Sequence, residues 1–189
     1  MKVLLFKNPG YKVYVTGHSL GAALSTIVAF YLSCDPDIPK PVSNLNFASP
    51  RVGNKIFLKA TQIMERTSQL RIVRSVNNND TVTVAPSMGY KHVGFQVTTY
   101  APGLFRRKRV RRPDLSYPNL SAGPCRAFSR SLDNSYLMSL NLGYDHGAYL
   151  KRIYLARAYL EDFSLNQLYA DEDVVGFQLE SPDYDKKME

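Results

Sequence analysis

The sequence predicts an α/β protein, a mostly parallel sheet with flanking helices, on three observations. Short runs of β-forming residues alternate with runs of helical period, the loops between them are a few residues long, and strand gives way to helix across one glycine-bracketed serine. Lys12 to Thr16 reads as the first strand, since Val13, Tyr14 and Val15 make a nearly continuous apolar run. After Gly17, the residues Leu20, Ala23, Leu24, Ile27, Val28 and Tyr31 recur every three or four positions, a helix that ends before Asp35-Pro36 and a loop stiffened by Pro39 and Pro41. Val42 to Ala48 is the second strand. A helix from about Asn54 to Arg66 follows, and Leu70 to Val76 is the third strand, stopped by the polar turn Asn77-Asn78-Asn79-Asp80. The alternation from His92 to Tyr100 predicts another strand. Residues 102–131, rich in Pro, Arg and Ser, read as an exposed insertion. A last helix is expected from about His146 to Asp162, with Tyr149, Leu150, Ile153, Tyr154, Ala156, Tyr159 and Leu160 on a wide apolar face. The organisation is therefore one domain over residues 1–170, carrying the insertion, followed by an acidic tail over 171–189.

Composition agrees with this. The 189 residues are 44% hydrophobic with 11 Gly and 11 Pro, which excludes collagenous, fully disordered and disulfide-scaffold classes. No run approaches the roughly 18 apolar residues of a membrane span. The apolar stretch Val3 to Phe6 is shorter than the roughly 7 to 15 residues of a secretory leader. The expectation is a cytoplasmic or membrane-peripheral protein, or a chain whose natural start lies upstream. Cys34 and Cys125 have no neighbouring cysteine at metal-ligand spacing, and their pairing stays open. The net charge of +8 is local: Arg106, Arg107, Lys108, Arg109, Arg111 and Arg112 supply six cations, without which it would be +2. Three readings stand for this run: a solvated loop, attraction to an anionic lipid surface, or a nucleic-acid patch, the last lacking interleaved aromatic residues.

The chemistry centres on Gly17-His18-Ser19-Leu20-Gly21, a G-x-S-x-G sequence at a strand-to-helix switch. The bare pattern arises by chance in roughly 5% of chains this long, so its context carries the weight. A nucleophile at such a tip sits in strained backbone, with glycines on either side to avoid collision, and the Leu20 N–H at the helix start faces a developing oxyanion. The plain alternative is Ser19 as a helix cap. A serine needs a base and an orienting carboxylate. Asp80, in the loop after the third strand, suits the carboxylate, although an Asp after Asn also suits an Asx-turn. Of the histidines, His18 lies inside the elbow, and His146, in a Gly-rich turn at a helix head, leads His92 as base.

With these residues in place, the run Val13-Tyr14-Val15-Thr16-Gly17-His18-Ser19-Leu20-Gly21-Ala22-Ala23-Leu24 resembles the elbow of the class 3 lipases, the fungal lipase-like family of α/β-hydrolases. Asn46-Phe47-Ala48-Ser49-Pro50-Arg51-Val52-Gly53-Asn54 resembles the family's strand and Pro-Arg-Val-Gly-Asn loop. Arg71 to Val82 resembles its acid-bearing segment, Tyr90-Lys91-His92-Val93-Gly94 its Tyr-x-His-x-Gly strand, and Asp145 to Leu150 its His-x-x-Tyr-Leu segment. The resemblance implies Ser19 as nucleophile, Asp80 as acid, His146 as base and a structural His92, without metal or cofactor. It implies a serine carboxylic-ester hydrolase acting on acylglycerols or phospholipids through an acyl-enzyme. Ala22 stands where the family usually has a second glycine. Only residues 1–11 precede the elbow strand, whereas the family carries there its first strands, its lid and a second oxyanion donor, a loss worth about 10² to 10³ in rate. The expectation is thus a partial α/β-hydrolase fold. Its rivals are a catalytically impaired lipase-like interaction protein and a basic nucleic-acid-binding protein.

Overall fold

The computed structural model describes residues 1–100, 114–117 and 145–160. The chain opens with α1 (Lys2–Lys7), then alternates β1 (Tyr14–His18), α2 (Leu20–Ser33), β2 (Val42–Phe47), α3 (Lys55–Arg66) and β3 (Leu70–Asn77). A short 3-10 turn (Val82–Val84) precedes β4 (Phe95–Thr99), β5 (Asp114–Ser116) and α4 (Tyr149–Leu160). The sheet order is β1-β2-β3-β4-β5. The first four strands are parallel and β5 is antiparallel to β4. The predicted fold class, a mostly parallel sheet with flanking helices, is the one observed.

Register sets the working end of the molecule. His18 of β1 pairs with Phe47 of β2, and Phe47 with Ser75 of β3, so three strands end nearly level. Residues that follow those ends project beyond the carboxyl edge of the sheet, where open parallel sheets hold their ligands. β3 lies centrally and is buried along almost its whole length, which its Leu-Arg-Ile-Val run anticipates for a strand covered on both faces. The core joins α2 and α3 to the sheet through Ala29, Ile38, Val42, Leu58, Leu70, Ile72 and Val93. Phe30 and Phe57 meet between the two helices at 5.1 Å. Asn54 starts α3 by accepting from the Ile56 and Phe57 N–H groups at 2.9 and 3.0 Å, relieving two donors that lack intrahelical acceptors.

Several elements differ from the sequence prediction. β1 runs two residues further than Thr16, because Gly17 and His18 still pair with Asn46 and Phe47. The predicted strand from His92 begins only at Phe95. Gly94 at φ +72 bends the chain there, and a Cβ on it would stand 2.4 Å from Ile72. Within the stretch read as an insertion, 114–116 pairs with β4; the rest of 102–131, with the basic run, and the tail 171–189 lie outside the described residues.

The helix faces differ more instructively. α2 turns Ala22, Ala23, Ser25, Thr26 and Ala29 inward, while Leu20, Leu24, Ile27, Val28 and Tyr31 are exposed. Small residues let the helix lie close on the sheet, and the buried hydroxyls find partners there: Asn44 donates to Ser25 at 2.9 Å and Asn46 to Thr26 at 3.1 Å. Apolar spacing announced the helix but not its inner face. α4 likewise buries only the stripe Tyr149, Arg152 and Ala156, leaving Leu150, Tyr154 and Tyr159 exposed.

The two glycines of the elbow also separate. A Cβ on Gly17 would lie 2.2 Å from the Gly21 carbonyl oxygen, whereas one on Gly21 meets nothing within 4 Å among the described residues. The expected collision thus applies to Gly17 alone. Gly17→Ala is expected to cost about 2 to 3 kcal/mol, the scale of forced overpacking, whereas Gly21→Ala, a helical position with room for a Cβ, should be neutral or stabilising by up to about 1 kcal/mol. Urea unfolding midpoints check this; equal losses would contradict it.

Candidate active site

Ser19 occupies the single residue between β1 and α2, with φ 57 and ψ −127. Such a conformation in a non-glycine residue costs about 1 to 3 kcal/mol and persists only where its surroundings hold it. Here the Ser19 N–H donates to the Phe47 carbonyl at 3.0 Å, and the Ser19 carbonyl accepts from the Ala22 N–H at 2.9 Å. The turn lifts Oγ clear of the sheet. Leu20 is the first residue of α2, so its N–H belongs to the helix-start donors without an intrahelical acceptor, at the positive end of the helix dipole.

Ser19 Oγ lies 2.8 Å from His146 Nε2. The other ring nitrogen, Nδ1, lies 3.0 and 3.2 Å from the two Asp80 carboxylate oxygens. A carboxylate accepts, so Nδ1 carries the proton and Nε2 is left to accept from the Ser19 hydroxyl. The structure therefore joins the three residues singled out from the sequence into one hydrogen-bonded chain. Asp80 is buried and its charge is met from several sides. Oδ1 accepts from the Val82 N–H at 3.0 Å, which is the Asx-turn weighed above as the alternative; the same carboxylate serves both purposes. Oδ2 accepts from the Tyr149 hydroxyl at 2.6 Å, and that hydroxyl accepts in turn from the Asn77 N–H at 3.0 Å. Burial above all, with the Asp80 carboxylate adding to it, drives the Tyr149 phenol far above its ordinary range, so it stays a donor.

Tyr149 is the participant that composition and spacing missed: the helix face suggested core packing, and the hydroxyl reaches a partner 69 positions away. The available signal was its place three residues after His146. The helical segment 145–147, which carries His146, is held by Asn77, whose Nδ2 donates to the Asp145 carbonyl at 2.7 Å, and by a buried ion pair between Asp145 and Arg152.

His92 takes no part in this chain. Its Nε2 donates to the Thr83 carbonyl at 2.6 Å, and the Thr83 hydroxyl donates to the Asp80 carbonyl at 2.7 Å, so the histidine braces the turn that carries Asp80. Burial first, then the nearby Arg74 charge, depress its pKa well below the ordinary 6.5. Protonation would also place a second N–H at Nδ1, a buried atom with no partner among the described residues. Among the described residues no group of three or more His, Cys, Asp or Glu is placed to hold a metal ion.

The depressed pKa means that the unfolded chain takes up this proton first, so the stabilisation is complete above about pH 6.5 and is lost as pH falls toward the folded value. The loss proceeds at up to about 1.4 kcal/mol per pH unit. His92→Gln keeps a donor for Thr83 without the titration. Its urea midpoint is expected to fall less than that of the parent between about pH 7.5 and about pH 5.5; parallel profiles would refute the assignment.

Residues 1–90 match the family model described as Lipase (class 3). Over 100 residues the chain is 38% identical to phospholipase A1-II 3 of Oryza sativa subsp. japonica, covering 49% of this chain and 23% of that one. Over 96 residues it is 40% identical to secreted mono- and diacylglycerol lipase A of Penicillium cyclopium, covering 49% of this chain and 29% of that one. Among solved structures, the lipase from Rhizopus microsporus var. chinensis superposes with a TM-score of 0.52 at 26% identity, over 68% of this chain and 42% of that one. The chain thus spans less than a third of the length of the curated relatives it matches.

Proposed function

Proceeding from residues 1–90, which belong to the class 3 lipase family, we propose that the chain carries the reacting groups of a serine carboxylic-ester hydrolase acting on acylglycerols or phospholipids. The observation that supports this most is the aligned pair of contacts at His146, 2.8 Å to the Ser19 hydroxyl on one nitrogen and 3.0 Å to Asp80 on the other. In this mechanism Ser19 Oγ attacks the ester carbonyl while its proton passes to His146 Nε2. The negative oxygen of the tetrahedral intermediate is held by the Leu20 N–H and the start of α2. The carbon–oxygen bond to the alcohol then breaks, and His146 returns the proton to that leaving oxygen. Water repeats the cycle on the acyl-enzyme: its proton goes to His146, the fatty acid leaves, and Ser19 regains its hydrogen. Asp80 keeps Nδ1–H oriented and offsets the imidazolium charge in both halves. The substrate class follows the relatives, one named a phospholipase A1 and one a mono- and diacylglycerol lipase.

A fluorophosphonate probe is expected to label Ser19 and no other serine, because only a base-activated hydroxyl reacts quickly. Ser19→Ala should abolish labelling, and His146→Ala should slow it by at least about 10², the scale of general-base assistance. An adduct elsewhere, or none on the folded parent chain, would favour the impaired, interaction-protein alternative.

The cluster of Arg106, Arg107, Lys108, Arg109, Arg111 and Arg112 lies outside the described residues, and its proposed role is attraction to an anionic lipid interface. Each cation near such a surface is worth about 1 kcal/mol. Replacing all six by Ser or Gln is expected to remove sedimentation with phosphatidylserine vesicles while leaving probe labelling of Ser19 unchanged. Tight nucleic-acid binding without any preference for anionic vesicles would overturn it.

A further inference from the structure

The elbow holds a second polar side chain that the mechanism above does not use. His18 immediately precedes Ser19, and its Nε2 lies 3.0 Å from the backbone carbonyl oxygen of His146. A carbonyl only accepts, so the imidazole N–H donates. The His18 ring also lies against the His146 ring, centroid to centroid 4.8 Å with a 46° tilt, and meets the Tyr149 ring edge-on at 5.7 Å.

The placement of this bond matters. Asp145 and His146 expose two successive carbonyls, and each is held by a side chain from a different strand end. Asn77, the last residue of β3, donates to the Asp145 carbonyl at 2.7 Å. His18, the last residue of β1, donates to the His146 carbonyl. The first bond fixes the base relative to the strand that leads to the acid, and the second relative to the strand that leads to the nucleophile. Ser19 and His146 are 127 positions apart in the chain, yet His18 shortens the route between their backbones to one residue and one hydrogen bond. A displacement of about 1 Å between reacting groups can cost about 10²-fold in rate.

We propose that His18 is a positioning residue, which clamps the backbone of the base to the nucleophile elbow so that His146 Nε2 stays in line with Ser19 Oγ. The inference rests on the reading of Ser19 and His146 as nucleophile and base. It is specific to the donor N–H, because the ring contact alone leaves the carbonyl free to move.

Two variants of the full chain separate donor from ring. His18→Phe keeps an aromatic ring against His146 and removes the donor; His18→Gln keeps an N–H at similar reach and removes the ring. The maximal rate of fluorophosphonate labelling at saturating probe is expected to fall about 3- to 10-fold in His18→Phe, the range spanned by one hydrogen bond. The half-saturating probe concentration and the melting temperature should stay at parent values, and His18→Gln should recover most of the rate. A second readout needs no turnover. The His146 Nδ1–H proton, followed by NMR, should exchange with solvent faster in His18→Phe and at nearly the parent rate in His18→Gln. Equal losses in both variants, parent behaviour in both, or a rate loss matched by a falling melting temperature would overturn the proposal. A parent chain that never reacts with the probe would defeat the hydrolase reading, and the proton-exchange comparison would still decide the clamp.

Discussion

The backbone of Ser19 is the constraint around which the rest is arranged. One residue must turn the chain from strand to helix and leave its hydroxyl standing above the sheet, and it does so at φ 57. The cost, about 1 to 3 kcal/mol, is met locally. Gly17 gives up a side chain so that the first turn of α2 can pass within contact distance. The Phe47 carbonyl fixes the Ser19 N–H. The small inner face of α2 then follows, since a helix starting this close to the strand end has no room for leucines beneath it. The hydroxyls of Ser25 and Thr26 and the amides of Asn44 and Asn46 fill that space with mutual hydrogen bonds, which satisfy most of these buried polar groups and leave Asn46 Oδ1 without a partner among the described residues.

A buried carboxylate imposes the next requirement. Asp80 carries its charge in a site without water-like solvation, and such a charge is expensive unless donors converge on it. The Val82 N–H, the Tyr149 hydroxyl and the His146 Nδ1–H do so. These are charge-assisted bonds, stronger than neutral ones, and they explain why Asp80, His146 and the first residue of α4 cannot be positioned independently. Tyr149 links them to the sheet as well, through the Asn77 N–H at the end of β3.

Much of this was legible in the sequence, for physical reasons that also mark its limits. The change of period at Gly17 announced a strand, an elbow and a helix, because local sequence dictates local backbone. The carboxylate after β3 followed from where parallel strands deliver their loops. Ser19, Asp80 and His146 were thus named in advance, and the structure brings them together. The wide apolar face expected on α4 is not the stripe that is buried, and spacing alone did not pick the inner face of α2, since periodicity reports spacing and is silent on whether large or small residues suit the neighbouring sheet. Tyr149 and the His18 contact stayed hidden because each joins segments far apart in the chain. The Gly94 bend, which cut a predicted strand short, depends on the proximity of Ile72, another non-local fact.

His146 meets Ser19 across 127 positions of sequence, and sequence neighbours alone cannot align two groups so far apart. Precision must come from contacts at the destination. The segment 145–147 has three of them: Arg152 on the Asp145 carboxylate, Asn77 on one carbonyl and His18 on the next. None of these three bonds uses the imidazole nitrogens, which leaves Nδ1 to Asp80 and Nε2 to Ser19. The backbone of His146 is thus held by one set of bonds and its ring nitrogens by another, so the alignment of Ser19, His146 and Asp80 does not hang on the ring's own hydrogen bonds alone.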